Sequence, residues 1–362
     1  MTLAEQFIEL TKINSVSLQE RRIADAVKRI LQPLGMTVIE DDAAKKLGGN
    51  CGNLICLPKN YDSAKPSAAL CAHLDTVQPT EGIVHIVDNE RIKTDGRTIL
   101  GGDDRLGLSV IIHLLKEIHT KNLHHKNFIC VFTVAEELGM YGAEAVDLSP
   151  YNVTKAFVLD SAKRPGTYIK ECAGCELVTL KFFGKSSHAG IAPEEGINAI
   201  ALAAKAIAQM PTGKINQETT FNFGIIKGGS ATNVVPDSAV VECEVRSLYR
   251  EKINQHLSFI ENILQQTCNG RYAVETKSDF VPYVHSSESE IVRDIERALT
   301  TTGLTPHGVR YSGGSDANVY NAKGVPAVNI GTGAQKPHSL EEFVLIEDLL
   351  KTYEVTYALI EK

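Results

Sequence analysis

Short, almost continuously apolar runs that alternate with amphipathic helical stretches constrain this chain most. Ser67 to Ala72, Phe128 to Val134, Lys155 to Leu159 and Ala327 to Ile330 lack the polar residue at every second place that a half-exposed strand carries. Strands apolar on both faces are buried on both faces, as in parallel sheets. Between them, Leu106, Val110, Ile111, Leu114, Leu115 and Ile118 recur at helical spacing from Arg105 to His119. Ile23, Val27, Ile30, Leu31 and Leu34 do the same over Leu18 to Leu34, stopping at Gly35, a natural C-cap. Thr37 to Ile39 and Asn53 to Leu57 read as further short strands. The pattern predicts an α/β fold with a mostly parallel sheet covered by helices.

From about Leu177 the texture changes. Leu177 to Phe183, Phe221 to Ile226, Val235 to Ser247 and Tyr272 to Lys277 read as strands with polar alternation. Gly196 to Met210 and Glu251 to Cys268 read as helices. Their β-α-β-β-α-β order is the ferredoxin-like pattern. After it Ile291 to Leu304 reads as a helix, and the buried-strand style resumes at Ala327. The expected organisation is a main domain in two parts, 1–176 and 285–362, interrupted by an inserted α+β domain at 177–284.

A net charge of −7 over 362 residues excludes a general electrostatic grip on nucleic acid. The cationic run Lys121 to Lys126 reads as a solvated helix end. No basic-then-apolar leader opens the sequence and no window approaches about 20 apolar residues, so the expectation is a cytoplasmic chain without a membrane span. Among eight cysteines, Cys71 and Cys130 sit in apolar runs as small hydrophobes. Cys172-Ala-Gly-Cys175 is a lone CxxC without the second pair a structural zinc site needs, so reduced structural thiols are expected.

In open α/β sheets, sites form at the carboxyl ends of the strands. Four strands here run into metal-ligand chemistry: His73-Leu74-Asp75, Glu136-Glu137, Asp160 and, after a Gly-rich loop, His338. Asp103-Asp104 follows Gly101-Gly102 and opens a helix. Taken singly, each acid has a bland reading as a cap or loop start; their joint placement at one edge points to metal. Carboxylates crowded in a crevice raise each other's pKa unless a cation neutralises them. Two imidazoles and three carboxylates match Zn²⁺ better than Mg²⁺ or Ca²⁺, and Mn²⁺ or Co²⁺ also fit. Five ligands are too many for one tetrahedral ion with an open position; two ions about 3.5–4 Å apart use them fully by sharing one carboxylate.

The runs Ala72-His73-Leu74-Asp75-Thr76-Val77, Leu100-Gly101-Gly102-Asp103-Asp104, Glu136-Glu137-Leu138-Gly139, Ser187-His188-Ala189-Gly190 and Gly313-Gly314-Ser315-Asp316-Ala317-Asn318 resemble the peptidase T, carboxypeptidase and aminoacylase superfamily of co-catalytic zinc hydrolases, and peptidase T-like members most of all. The resemblance implies that His73, Asp103 and Asp160 hold one metal, and Asp103, Glu137 and His338 the other. It implies that Asp75 fixes the tautomer of His73, and that Glu136 is the general base on the water between the ions. It further implies that His188 donates to the oxyanion, in cis or across a dimer, and that the inserted domain is a lid or homodimerisation domain.

Asn233, Arg246 and Ser312-Gly313-Gly314 are the candidates for gripping substrate. Arg246 either clamps a carboxylate bidentately or is a solvated residue of an alternating strand; the glycines admit close backbone approach. The substrate expected is a short peptide, with an N-acyl amino acid or other small amide as the alternative. A catalytically silent metal-binding protein is the remaining reading.

Overall fold

The computed structural model describes residues 1–362, which form two compact units. The first comprises Met1–Glu171, His285–Arg310 and Ser315–Lys362; the second comprises Cys172–Val284 and Tyr311–Gly314. The second unit therefore starts earlier than the residue 177 read from texture, because Cys175 and Glu176 already pair within its sheet.

The central sheet of the first unit carries four adjacent parallel strands, in the order Phe128–Thr133, Ser67–His73, Val153–Ser161, Ala327–Gly331. Leu54–Leu57 and Thr37–Glu40 extend it antiparallel at one side and Thr167–Cys172 at the other. Phe128–Thr133 is buried at every position, which is why its sequence shows no alternation. Leu106, Leu108, Val110, Ile111, Leu114 and Leu115 of the helix Gly102–Lys121 pack into the same core as Phe7, Leu10, Ile295, Leu299, Val355 and Leu359 from three other helices.

A second, four-stranded sheet has no counterpart in the reading of the sequence. Ala334–Gln335, Phe343–Leu345, Arg91–Thr94 and His85–Val87 pair antiparallel in that order. Its strands are two to four residues long, too short to display a period. It matters because the link between its first two strands carries His338.

In the second unit the sheet runs Gly213–Lys214, Thr219–Gly228, Ser238–Ser247, Gly174–Phe183, Tyr272–Phe280, all antiparallel. Val178, Leu180 and Phe182 alternate inward, as do Val241, Cys243 and Val245, against the helices Ala199–Ile207 and Arg250–Cys268. This is the ferredoxin-like order with one extra edge strand. All eight cysteines are buried and none forms a disulfide, and no helix is long and apolar enough to cross a membrane.

Candidate active site and metal centre

Parallel pairing brings the carboxyl ends of the four central strands to one edge. His73 stands opposite Thr133, and Cys71 opposite both Val131 and Val158. His73 ends its strand, Glu136 and Glu137 follow Phe128–Thr133, and Asp160 lies at the end of Val153–Ser161. Asp103 and Asp104 start the helix Gly102–Lys121 with non-helical backbone and a cis peptide between them.

The two aspartates have different uses. Asp104 accepts the N–H groups of His73 at 3.2 Å and Gly107 at 3.0 Å. A Cβ at Gly107 would stand 2.3 Å from the Leu159 carbonyl and 2.6 Å from Asp104 Oδ1, so that position has to be glycine. Asp103 instead turns both oxygens to imidazoles. Its Oδ1 lies 3.1 Å from His73 Nε2, itself 3.6 Å from Asp160 Oδ1. Its Oδ2 lies 3.2 Å from His338 Nε2, itself 3.1 Å from Glu137 Oε1.

Ligand atoms bonded at about 2.0–2.2 Å to a tetrahedral ion stand about 3.3–3.6 Å apart, and these pairs, at 3.1–3.6 Å, lie at or just under that spacing. Ligand atoms of His73, Asp103 and Glu137 also gather within 4.8 Å of one another, as do those of His73, Asp104 and Asp160. Asp104 is the weaker candidate, because backbone N–H groups engage both its oxygens. The five residues thus fit divalent metal, with Asp103 standing between His73 and Asp160 on one side and His338 and Glu137 on the other.

Charge supports that fit. Burial and then the neighbouring Asp103 push the Asp160 carboxyl well up. Burial, followed by the charge of Asp160, does the same to Glu136. Burial opposes ionisation of Asp103 too, yet the rings of His338 and His73 hold it below the usual carboxylate range. Hydrogen bonds to Asp103 and Glu137 raise His338 to about 10. Protons thus gather where cations would neutralise the same carboxylates.

Asp75, fully buried, ties the machinery together. Its Oδ1 is 3.2 Å from His73 Nδ1 and accepts the Glu136 N–H at 3.1 Å. Its Oδ2 accepts the Glu137 N–H at 3.1 Å and the Ser17 hydroxyl at 2.6 Å. One carboxylate therefore orients two candidate ligands and the candidate base.

Three further residues support this edge, and nothing in their spacing announces them. Glu20 accepts the N–H of Ala135 at 2.9 Å, where φ is +51° immediately before Glu136. Arg105, fully buried, donates to the carbonyls of Leu74 at 2.9 Å and Leu10 at 3.3 Å, and to Ser15. Asp316 accepts the Thr133 hydroxyl at 2.5 Å beneath the strand end.

His188, Asn233, Arg246 and Ser312-Gly313-Gly314 belong to the second unit. His188 is exposed, and its Nδ1 accepts the Gly190 N–H at 3.2 Å. In the neutral ring the proton then sits on Nε2, which is left as a donor. The backbone carbonyl of Asn233 accepts the Ala189 N–H at 2.9 Å. Arg246 is engaged within the second unit. Its fork is held bidentately by Glu244, 3.0 Å at Nε and at Nη2, and Nη1 donates to the Ser312 carbonyl at 2.7 Å. The glycines answer to packing as well: a Cβ at Gly313 would lie 2.7 Å from the Tyr311 ring, and one at Gly314 would lie 2.9 Å from Phe280. The Cys172 thiol donates to the Gly313 carbonyl at 3.1 Å.

Residues 174–271 match the family described as the peptidase dimerisation domain of the M20 group, and residues 80–168 match that described as M42 glutamyl aminopeptidase. The chain is 36% identical to the protein YqjE of Bacillus subtilis, over 99% of this chain and 98% of that one. It is 35% identical to the crystal structure of aminopeptidase PepT from Bacillus cereus, with a TM-score of 0.92 over 99% and 97% of the two chains. A tripeptidase from Staphylococcus aureus superposes with a TM-score of 0.93 at 32% identity, again over 99% and 97%.

Fold and site define a metal-dependent hydrolase of peptide bonds. The chain belongs to the peptidase T-like members of the M20 peptidase family.

Proposed function

We propose that this chain is an aminopeptidase of short peptides, tripeptides foremost, working with two divalent cations. The observation that carries the reading is Asp103, whose two oxygens face two separate imidazole–carboxylate pairs, His73 with Asp160 and His338 with Glu137. Cations bound there, zinc first and manganese or cobalt as alternatives, supply Lewis acidity toward the scissile carbonyl and lower the pKa of water. The similarity to proteins described as aminopeptidase PepT and tripeptidase supports the substrate class.

Each of the chain's own groups then has a task. Glu136 takes the proton of the attacking water and hands it to the leaving amine. Asp75 keeps His73 in the tautomer whose Nε2 lone pair faces the centre, and holds the Glu136-Glu137 turn by its N–H groups. His188, with Nε2–H free to donate, stabilises the oxyanion as it develops. Asn233, Arg246 and the Ser312-Gly313-Gly314 loop hold the substrate. Arg246 does so through the Ser312 carbonyl it anchors, since Glu244 takes its bidentate face.

The match of residues 174–271 to a peptidase dimerisation domain supports a homodimer formed through the inserted unit. Buried cysteines in no disulfide suit a reducing cytoplasm.

The substrate reading is tested with metal-loaded protein on free tripeptides, dipeptides and N-acetyl and N-succinyl amino acids. Tripeptides are expected to give the highest kcat/KM, and chelator is expected to abolish turnover. Faster cleavage of the N-acyl amino acids would replace the peptidase assignment by a deacylase one. For the oxyanion role, His188→Ala is expected to lower kcat by about 10²–10³-fold with metal content unchanged. A kcat within a few-fold of wild type removes His188 from the mechanism.

A further inference from the structure

We infer that Glu342, which stands at no position of the ligand or base set, is a positioning residue for the metal centre; the inference rests on the two-cation reading above. Glu342 is 1% exposed. Its Oε2 accepts the N–H groups of Leu100 at 3.0 Å and Gly101 at 2.7 Å, and its Oε1 accepts that of Asp103 at 3.1 Å. A surface acid satisfied by water makes no such set, whereas two buried N–H groups and a part-buried one on one carboxyl lock a segment of backbone.

The locked segment is the one that bears the shared ligand. Gly101 holds a left-handed φ of +71°, and a Cβ on Gly102 would lie 3.0 Å from Glu342 Oε1 and 3.1 Å from Val344. The carboxylate therefore closes directly over the two glycines before Asp103. Glu342 itself lies on the link from Ala334–Gln335 to Phe343–Leu345, which also carries His338. Val344 pairs with Ile92 and anchors that link to the small sheet. One side chain thus ties the loop of Asp103 to the loop of His338, whose facing atoms are 3.2 Å apart. Its function is to hold two ligands from remote parts of the chain at the separation a shared cation needs.

The test compares full-length wild type and Glu342→Gln, each stripped of metal. Zinc affinity is read by competition with a chromophoric chelator, and the visible absorption of added Co²⁺ reports ligand geometry. The amide keeps one acceptor oxygen but turns an NH₂ toward an N–H. Zinc affinity is expected to fall by about 10–100-fold, the usual effect of losing a residue that orients a metal ligand. The Co²⁺ bands are expected to change, and kcat to fall while KM stays within about twofold. A folded variant with wild-type zinc affinity and unchanged Co²⁺ bands overturns the inference.

Should Glu342→Gln fail to fold, Gly102→Ala presses a methyl onto the same carboxylate and is expected to weaken zinc in the same way; wild-type affinity in folded Gly102→Ala overturns the inference equally. The wild-type arm separates the two levels of the argument. Wild type that takes up no metal refutes the two-cation reading itself, whereas metal-binding wild type beside an unaltered variant refutes only the role of Glu342.

Discussion

Glu136→Gln is expected to keep its metal and lose about 10²–10⁴-fold in kcat, the range that a positioned general acid–base group supplies. The substitution preserves shape and leaves the backbone N–H that Asp75 accepts at 3.1 Å. The proposed ligands His73, Asp103, Glu137, Asp160 and His338 are untouched, so metal stoichiometry and the Co²⁺ spectrum should match wild type. Only the capacity to take up and return a proton disappears. Burial, followed by the charge of Asp160, raises the pKa of the Glu136 carboxyl, the direction that strengthens a general base. A metal-replete Glu136→Gln that turns over within tenfold of wild type would remove Glu136 as the base.

Asp103→Asn is expected to act at the other end of the mechanism, by emptying the centre. The aspartate presents one oxygen to His73 and the other to His338. Asparagine replaces one of them by an NH₂ group, which has no lone pair for a cation and removes the negative charge common to both half-sites. Metal content is expected to drop to one ion per chain or fewer. The loss in kcat/KM should exceed the roughly 100-fold that merely supporting residues of metal sites reach. The backbone N–H of Asp103 still reaches Glu342, so the loop should keep its course and the protein its fold. Two bound ions and near-native activity in Asp103→Asn would refute the sharing of Asp103.

The two variants probe what was most legible in the sequence. His73, Glu137 and Asp160 stand at the ends of runs too apolar to be anything but buried strands, and a charged or imidazole side chain there stands out. The Gly-Gly-Asp-Asp run also stands out, although the separate uses of its two carboxylates do not. Glu342 was invisible for a physical reason. It reads as half of an ordinary acidic pair, Glu341-Glu342, and becomes buried only because Phe343–Leu345 pairs with Arg91–Thr94, about 250 residues away in sequence.

Arg105 misleads in the same way. At the start of an amphipathic helix it looks solvated, yet tertiary packing encloses it among carbonyls. The spacing of Glu244 and Arg246 does put both on one face of a strand. Nothing in that spacing says whether the guanidinium waits for substrate or is already held, and here Glu244 holds it.

The discontinuity of the first unit has a consequence for how the protein is made. Chains leave the ribosome amino end first and fold by domains as they emerge. His73, Asp103, Glu137 and Asp160 are synthesised before the inserted unit, and His338 and Glu342 after it. A nascent chain therefore presents four of the five proposed ligands before the imidazole of His338 joins them. The proposed centre can therefore be completed only after the inserted unit has been made.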